Sequence, residues 1–148
     1  MKKNYVYLAG PMEDVSFDHM TGWRESATKF LENAGIEVLD PTRRVQFHDD
    51  MAILGDRDPL SQSMSRRIFK MDLQDIANST VILADVRQSS GKGTVTSMEL
   101  MFGHTKHKTM ILWADPDDRI HPFYEALYTE KHHNLEDCLD AITYYYGD

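Results

Sequence analysis

The sequence predicts an α/β fold in which a parallel sheet is wound by right-handed crossovers. Strand-like and helix-like segments alternate along the chain, which is the pattern of such folds. Residues 80–85 and 108–114 are largely apolar throughout, as in parallel strands that are covered on both faces. A length of 148 residues is enough for one domain with a core of its own, so we expect a single domain over residues 1–148.

The first part of the chain supplies two strands and one helix. Residues 4–9 form the first strand, and Gly10-Pro11 ends it. A helix follows, because apolar side chains recur at helical spacing and Gly35 is placed to end it. Residues 36–39 form a short second strand. The apolar stripe of the helix consists of Trp23, Ala27, Phe30, Leu31 and Ala34.

The middle of the chain begins with a segment in which apolar residues have no regular spacing. Residues 41–64 predict a long loop, and such loops in compact domains are usually functional or disordered. Ser65 is a candidate cap for a second helix that runs to Asn78. A third helix, which contains Glu99, lies between the two apolar strands. The last predicted element is an amphipathic helix, whose apolar side carries Leu135, Cys138, Leu139 and Ile142.

Composition and charge exclude several classes of partner. The formal net charge of −8 argues against binding a nucleic acid polymer. No apolar run is long enough to cross a bilayer, so we expect no membrane partner. The single cysteine excludes an internal disulfide, and the chain enters a strand without a signal-peptide pattern, so we expect a cytoplasmic protein. The seven histidines show no metal-ligand spacing and no dinucleotide fingerprint is present, so we expect no metal and no cofactor.

The predicted topology indicates where a ligand would bind. In parallel α/β sheets, ligands bind beyond the carboxyl ends of the strands. The loops that follow the first three strands are residues 10–14, 40–44 and 85–96. We expect these three loops to meet in one crevice.

Asp72 is a carboxylate in an unusual place. When residues 65–78 are wound as a helix, Asp72 falls on the apolar face, between Ile68 and Ile76. A carboxylate on a core-facing stripe is costly unless it is paired or hydrogen-bonded. It is either a buried aspartate that bonds the backbone of a neighbouring loop or an aspartate at the rim of a site.

Glu99 also has two interpretations. The run from Thr96 to Glu99 matches the capping box, in which the glutamate bonds the amide of the cap residue. Alternatively, a glutamate in the first turn of a helix is kept ionised by the helix dipole and faces the crevice as a nucleophile. The glycine-rich turn before it would let a ligand approach the backbone closely.

Three segments together resemble the nucleoside 2-deoxyribosyltransferase family. They are YVYLAGPM at residues 5–12, FKMDLQDI at 69–76 and GTVTSMEL at 93–100, and VLDPTRR at 38–44 is similar to a segment of phage and bacterial members. The resemblance implies a flavodoxin-like, that is Rossmann-like, parallel sheet of about five strands with helices on both faces. It also implies a homodimer or a higher homo-oligomer.

The resemblance assigns roles to three residues. Glu99 matches the glutamate that attacks the anomeric carbon of a deoxynucleoside, so that a covalent deoxyribosyl-enzyme forms. Tyr7 matches the tyrosine that orients this glutamate, and Asp72 matches the aspartate that helps protonate the base. Such chemistry needs one carboxylate as the nucleophile and one acid to assist the leaving group. The partners implied are nucleosides, nucleobases or nucleotides.

The sequence departs from the family at two positions. Many members have Asp or Ser six residues before the nucleophile, where Gly93 stands here, and Ser89, Ser90 or Ser97 are the candidate replacements. Many have a glycine two residues after the nucleophile, where Met101 stands here. The full set of predicted substrate-binding residues is Gly10, Pro11, Met12, Phe17, Asp40, Arg43, Arg44, Phe47, Asp85, Ser89, Ser90, Gly93 and Ser97.

Three functions remain open from the sequence. The first is deoxyribosyl transfer between nucleobases. The second is an N-glycosidase that hydrolyses nucleoside 5′-monophosphates, with Arg43 or Arg44 on the phosphate, although both arginines can equally be solvated loop charges. The third is a non-catalytic nucleotide sensor in which Glu99 only caps a helix.

Overall fold

Five parallel strands form one sheet in the computed structural model, which describes residues 2–12, 15–44, 59–90, 93–117 and 120–148. The strand order is β2-β1-β3-β4-β5. This is the flavodoxin-like order of a doubly wound sheet, so the predicted fold class is confirmed. The strands are β1 (Tyr5–Ala9), β2 (Glu37–Leu39), β3 (Val81–Asp85), β4 (Thr109–Trp113) and β5 (Glu130–His132).

Helices cover both faces of this sheet. The face with Val6 and Leu8 packs against α1 (Phe17–Asn33) and α5 (Leu135–Tyr146). The opposite face, with Tyr7 and Ala9, packs against α2 (Pro59–Asn78), α3 (Thr94–Thr105) and the short α4 (Pro122–Leu127). Successive side chains of a strand point to opposite faces, so this alternation along β1 determines which helix each residue meets. In the described part of the chain, no helix combines the length and the apolar character needed to cross a bilayer.

The ends of α1 follow from its sequence. The side chain of Ser16 accepts a hydrogen bond from the backbone N–H of His19, which satisfies a free amide of the first turn. Gly35 has a φ of 81° just after the helix, so the predicted terminator is confirmed. Trp23, Ala27 and Leu31 are in the core, but Phe30 is 40% exposed and lies off the predicted apolar face.

Two elements differ from the prediction. α2 begins at Pro59, not at Ser65, and the segment predicted as a loop through residue 64 is therefore partly helical. Proline suits the first position of a helix, where its missing N–H costs nothing. Residues 41–44 form a turn of 3-10 helix, and the rest of the predicted loop, 45–58, lies outside the described residues.

Gly103 provides a test of the packing between α3 and the sheet. A Cβ at Gly103 would lie 2.2 Å from Cδ1 of the buried Ile82 and 3.3 Å from Cε of Met110. We expect Gly103→Ala to lower the free energy of unfolding by about 1–3 kcal/mol because it overpacks the core. The matched control is Gly22→Ala in α1, where nothing lies within 4 Å, and which should raise stability by about 0.5–1 kcal/mol. Urea denaturation measures both, and an equal gain for the two variants would contradict this packing.

Candidate active site

The centre of the candidate site is a hydrogen bond between two buried side chains. The Tyr7 hydroxyl on β1 donates to Oε2 of Glu99 on α3. Tyr7 is 0% exposed and Glu99 is 4% exposed. The two residues are 92 positions apart in sequence, and they meet because Tyr7 lies on the sheet face that α3 covers. The structure thus brings together two of the three residues to which catalytic roles were assigned.

Glu99 does not belong to a capping box. α3 begins at Thr94, and its N-cap is Gly93, which has no side chain to accept from the amides of the first turn. Thr96 is already inside the helix, so Glu99 lies in the second turn and its carboxylate bonds Tyr7 instead of a backbone amide. The capping-box interpretation is wrong, and so is the expectation that Glu99 lies in the first turn. The loop between β3 and α3 is shorter than predicted because α3 begins immediately after Gly93.

The ionisation expected for Glu99 is also wrong. The pKa of the Glu99 carboxyl is raised from 4.5 to about 8, chiefly by burial and also by the negative charge of Asp72, against the Tyr7 hydrogen bond and Arg24, which lower it. The helix dipole acts mainly on the first turn and does not offset this burial. The pKa of Tyr7 is raised well above 10 by burial and by Glu99, so Tyr7 remains a hydrogen-bond donor.

Asp72 lies on the buried side of α2, as predicted. It is 4% exposed, and the exposed side of the helix carries Arg67, Lys70 and Gln74. Its charge acts on both Tyr7 and Glu99, which places it in the same electrostatic environment. Asp72 has partners of its own in the protein. Its role as proton donor stays a prediction.

Sequence reasoning missed Arg24. This arginine of α1 is 0% exposed and donates to three backbone carbonyls: Nε to Leu8, Nη1 to Met20 and Nη2 to Gly10, at 3.4, 2.8 and 3.0 Å. Its guanidinium also lies 4.7 Å from the centre of the Trp23 ring. The available signal was its position on the apolar stripe, one residue after Trp23, which is the same kind of anomaly that singled out Asp72.

Two buried hydroxyls in the described part of the chain lack partners, one in the loop before α3 and one in the first turn of α3. Among the described residues, Oγ of Ser90 and Oγ1 of Thr96 are buried and have no hydrogen-bond partner. Both lie close in sequence to the start of α3, whose first amides carry no side-chain cap. Buried polar groups without partners are rare and call for an explanation, such as a ligand hydroxyl or an anion.

Tyr124 is the second residue that the sequence did not indicate. Its hydroxyl shares a hydrogen bond with Oγ of Ser97, which in turn donates to the Gly93 carbonyl at 2.7 Å. A Cβ at Gly93 would lie 3.4 Å from the Tyr124 hydroxyl. Tyr124 therefore covers the position where many relatives are expected to carry a side chain. It comes from α4, a six-residue helix without a recognisable pattern.

Two predicted charged residues, Asp40 and Arg43, line a cavity whose lining includes neither Tyr7 nor Glu99. Nη2 of Arg43 lies 2.7 Å from Oδ2 of Asp75, and Nη1 donates to the carbonyl of Asp40 at 2.6 Å. The Asp40 carboxylate accepts from the Thr42 amide at 2.8 Å. The cavity, of about 380 Å³, is lined by Glu25, Thr28, Lys29, Val38, Asp40 and Arg43. Contact of Asp40 or Arg43 with substrate stays a prediction.

The remaining predicted residues end β3, follow β1 or lie outside the described residues. Asp85 is 1% exposed and bonds the Arg87 guanidinium through both oxygens, at 2.9 and 3.0 Å, so it holds the loop after β3. Gly10, Pro11 and Met12 directly follow β1, as expected. Phe47 and the side chains of Phe17, Arg44 and Ser89 lie outside the described residues.

A comparison with protein families shows to which family the chain belongs. A sequence model of the family described as "Nucleoside 2-deoxyribosyltransferase like" matches residues 3–116. The chain belongs to this family. The matched range contains Tyr7, Asp72 and Glu99, whereas Tyr124 lies beyond it. No protein of curated function matches the chain in sequence.

Solved structures share the fold of this nucleoside 2-deoxyribosyltransferase-like protein. A 2-deoxyribosyltransferase from Bacillus psychrosaccharolyticus has a TM-score of 0.68 and 15% identity, with 94% of this chain and 95% of that chain covered. A CMP N-glycosidase of Clostridium botulinum has a TM-score of 0.59 and 16% identity, with coverages of 96% and 99%. A molybdenum cofactor binding protein from Rippkaea orientalis has a TM-score of 0.62 and 14% identity, with 98% of each chain covered. At such identities these likenesses show the fold alone.

Clusters that could hold a metal ion are absent from the described ranges. In residues 2–12, 15–44, 59–90, 93–117 and 120–148, no group of three or more His, Cys, Asp or Glu side chains is arranged to hold one. The single cysteine of this family member, Cys138, is a buried free thiol whose pKa burial raises to about 12.

Proposed function

We propose that this protein cleaves the N-glycosidic bond of 2′-deoxynucleosides and transfers the sugar to another nucleobase. The observation that supports this most is the buried hydrogen bond from Tyr7 to Glu99, with Asp72 close enough to act on both. A nucleophilic carboxylate needs a group that orients it and a second group that serves the leaving base. Membership of the nucleoside 2-deoxyribosyltransferase-like family is consistent with the same reaction.

The first half of the reaction exchanges one bond to the anomeric carbon for another. An oxygen of ionised Glu99 forms a bond to C1′, and the bond between C1′ and the base nitrogen breaks. The electron pair of that bond leaves with the base, and Asp72 donates a proton to a ring nitrogen, so that the base departs neutral. In the second half, an incoming base attacks C1′, Asp72 takes its proton, and Glu99 is released.

The protonation of the two carboxyl groups, Asp72 and Glu99, fits this sequence of steps. Because the negative charge of Asp72 raises the pKa of Glu99, the two carboxyl groups favour a state with one proton. The productive arrangement has the proton on Asp72 and the charge on Glu99. Tyr7 favours this arrangement because its hydroxyl donates to the charged form of Glu99.

An N-glycosidase for nucleoside 5′-monophosphates is the second candidate. The two buried hydroxyls of Ser90 and Thr96, near the uncapped start of α3, are suited to a phosphate. Arg43, in contrast, already pairs with Asp75 and is not needed to explain such a site. In this alternative, water replaces the incoming base and the same glutamate is used.

One assay separates these functions. The protein is incubated with a 2′-deoxynucleoside and a different free base, and in parallel with the 5′-monophosphate alone. Formation of the exchanged nucleoside supports transfer. Release of base only from the monophosphate supports the N-glycosidase. Measurable nucleotide binding without release or exchange would contradict both and favour a non-catalytic sensor.

The pH dependence of the first half-reaction follows from the raised pKa of Glu99. The productive state of the Asp72–Glu99 pair holds one proton, so kcat/KM for base release should fall about tenfold per pH unit above a midpoint near 8, where that proton is lost. Tyr7→Phe removes a hydrogen bond that lowers the pKa of Glu99 and should therefore move the midpoint upward. Initial rates between pH 5.5 and 9.5 measure both. A wild-type rate that does not change with pH would contradict the assignment of Glu99.

A further inference from the structure

Arg24 is a buried cation that the proposed reaction does not yet use. All three nitrogens of its guanidinium group face backbone carbonyls, two of them at the carboxyl end of β1, at Leu8 and Gly10. Arginine presents five donors in a rigid fork, so these bonds fix both the side chain and the backbone it contacts. The Cα of Gly10 lies against the same guanidinium, since a Cβ there would be 3.3 Å from Nη2 of Arg24. Arg24 thus fixes the point where the chain leaves β1.

The positive charge of Arg24 is incompletely neutralised at contact distance. Burying a charge costs free energy unless an opposite charge compensates it. Among the described carboxylates, Asp40 comes within 3.8 Å of Nε of Arg24, which is a long ion pair. Two other buried carboxylates bond arginines of their own: Asp85 bonds Arg87, and Asp75 bonds Arg43. The charge of Arg24 also acts on the buried Tyr7–Glu99 pair.

We propose that Arg24 is a positioning residue of the glycosyl transfer, which holds the backbone after β1 in place and, as a buried cation beside that strand, acts on the Tyr7–Glu99 pair. The inference rests on the proposed function for its first part, because the position of Gly10 matters only if a substrate lies there. Its second part concerns this chain alone. It holds whether or not deoxyribosyl transfer is the reaction.

The charges around Glu99 act in opposite directions. Asp72 from α2 raises the pKa of the Glu99 carboxyl in addition to the effect of burial, whereas Tyr7 from β1 and Arg24 from α1 lower it. The field of Arg24 is in turn reduced by the anions that face it, namely Asp40 after β2 and Asp85 on β3. Removing the charge at position 24 therefore leaves Glu99 with fewer groups that favour its ionised form.

The test uses three variants of the full chain. Arg24→Gln removes the charge but keeps an amide that can donate to the Gly10 carbonyl. Arg24→Lys keeps the positive charge but loses the planar guanidinium group with its several N–H donors. Arg67→Gln, on the exposed side of α2, is the matched control. For each, the Glu99 carboxyl is titrated by NMR with side-chain ¹³C-labelled glutamate, and Glu99→Gln identifies its signal. Base release from a 2′-deoxynucleoside is measured over the same pH range.

The two parts of the inference predict different results. The Arg24→Gln variant should titrate at Glu99 about one pH unit or more above wild type, with the same shift in its rate profile. The Arg24→Lys variant should keep the midpoint but release base roughly tenfold more slowly, because the fork no longer holds Gly10. The Arg67→Gln variant should match wild type in both measurements.

The results that overturn the inference are separate from those that overturn the proposed function. An unchanged Glu99 titration in the Arg24→Gln variant removes the electrostatic part, and a wild-type rate in Arg24→Lys removes the positioning part. If wild-type protein releases no base from any 2′-deoxynucleoside, the proposed function fails. The ¹³C titration still decides whether Arg24 controls the charge of Glu99.

Discussion

Glu99→Gln should abolish transfer while the protein stays folded. Glutamine has nearly the same shape and can still accept the Tyr7 hydrogen bond, but its amide is a very poor nucleophile. We expect the rate of base release to fall by roughly 10³-fold or more. A slowly reacting substrate such as a 2-fluoro-deoxynucleoside should add one sugar mass to wild type, which peptide mass spectrometry should map to Glu99. A sugar on any other residue, or an active glutamine variant, would contradict the assignment.

Glu99→Gln should also change how the stability of the protein depends on pH. The Glu99 carboxyl has a pKa of 4.5 unfolded and about 8 folded, so the folded state holds its proton more tightly. The resulting stabilisation is complete below pH 4.5 and is lost as the pH rises through 8. Glutamine has no proton to lose. Glu99→Gln should therefore be increasingly more stable than wild type as the pH rises from 6 to 9, which urea denaturation at each pH measures.

Asp72→Asn should reduce turnover much more than stability. Asparagine keeps the shape of the buried side chain but cannot donate a proton to a leaving base in the same way, so base release should fall by roughly 10²–10⁴-fold. The matched control is Asp75→Asn on the same helix, which is also buried but pairs with Arg43. That variant should lose stability, by on the order of 1 kcal/mol, and keep most of its turnover.

The substrate provides the decisive control for Asp72. A purine deoxynucleoside that is methylated at N7 carries a positive charge on its base and leaves without being protonated. Asp72→Asn should therefore cleave this substrate at close to the wild-type rate. An equal loss with both substrates would assign Asp72 to folding or to binding instead of to proton transfer.

The parallel sheet was predictable because burial imposes a readable pattern. β3 and β4 are buried along most of their length, so they appear in the sequence as apolar runs. β5 could not be located in the same way: its sequence is Glu-Lys-His, and it lies at the edge of the sheet. The start of α2 was misplaced because a serine at position 65 suggested a cap, whereas Pro59 begins the helix.

The candidate site was predictable where a charged residue interrupts an apolar face. Asp72 was found by that argument, and Arg24 would have been found by it too had the stripe of α1 been examined for charges as well as for apolar residues. The ionisation of Glu99 was beyond the sequence. It depends chiefly on the burial of Glu99 between β1 and α3. Tyr124 reaches the site through α4, which carries no helical signal.

The alternation of side chains along β1 has a consequence for engineering this protein. Tyr7 points to the α3 side, whereas Val6 and Leu8 belong to the core that α1 and α5 cover. Substitutions in that remote core can shift β1 and so change the distance between Tyr7 and Glu99 without touching either residue. A mutant library intended to alter activity should therefore include the core between the sheet and helices α1 and α5. Saturation mutagenesis of the pocket lining alone does not sample these positions.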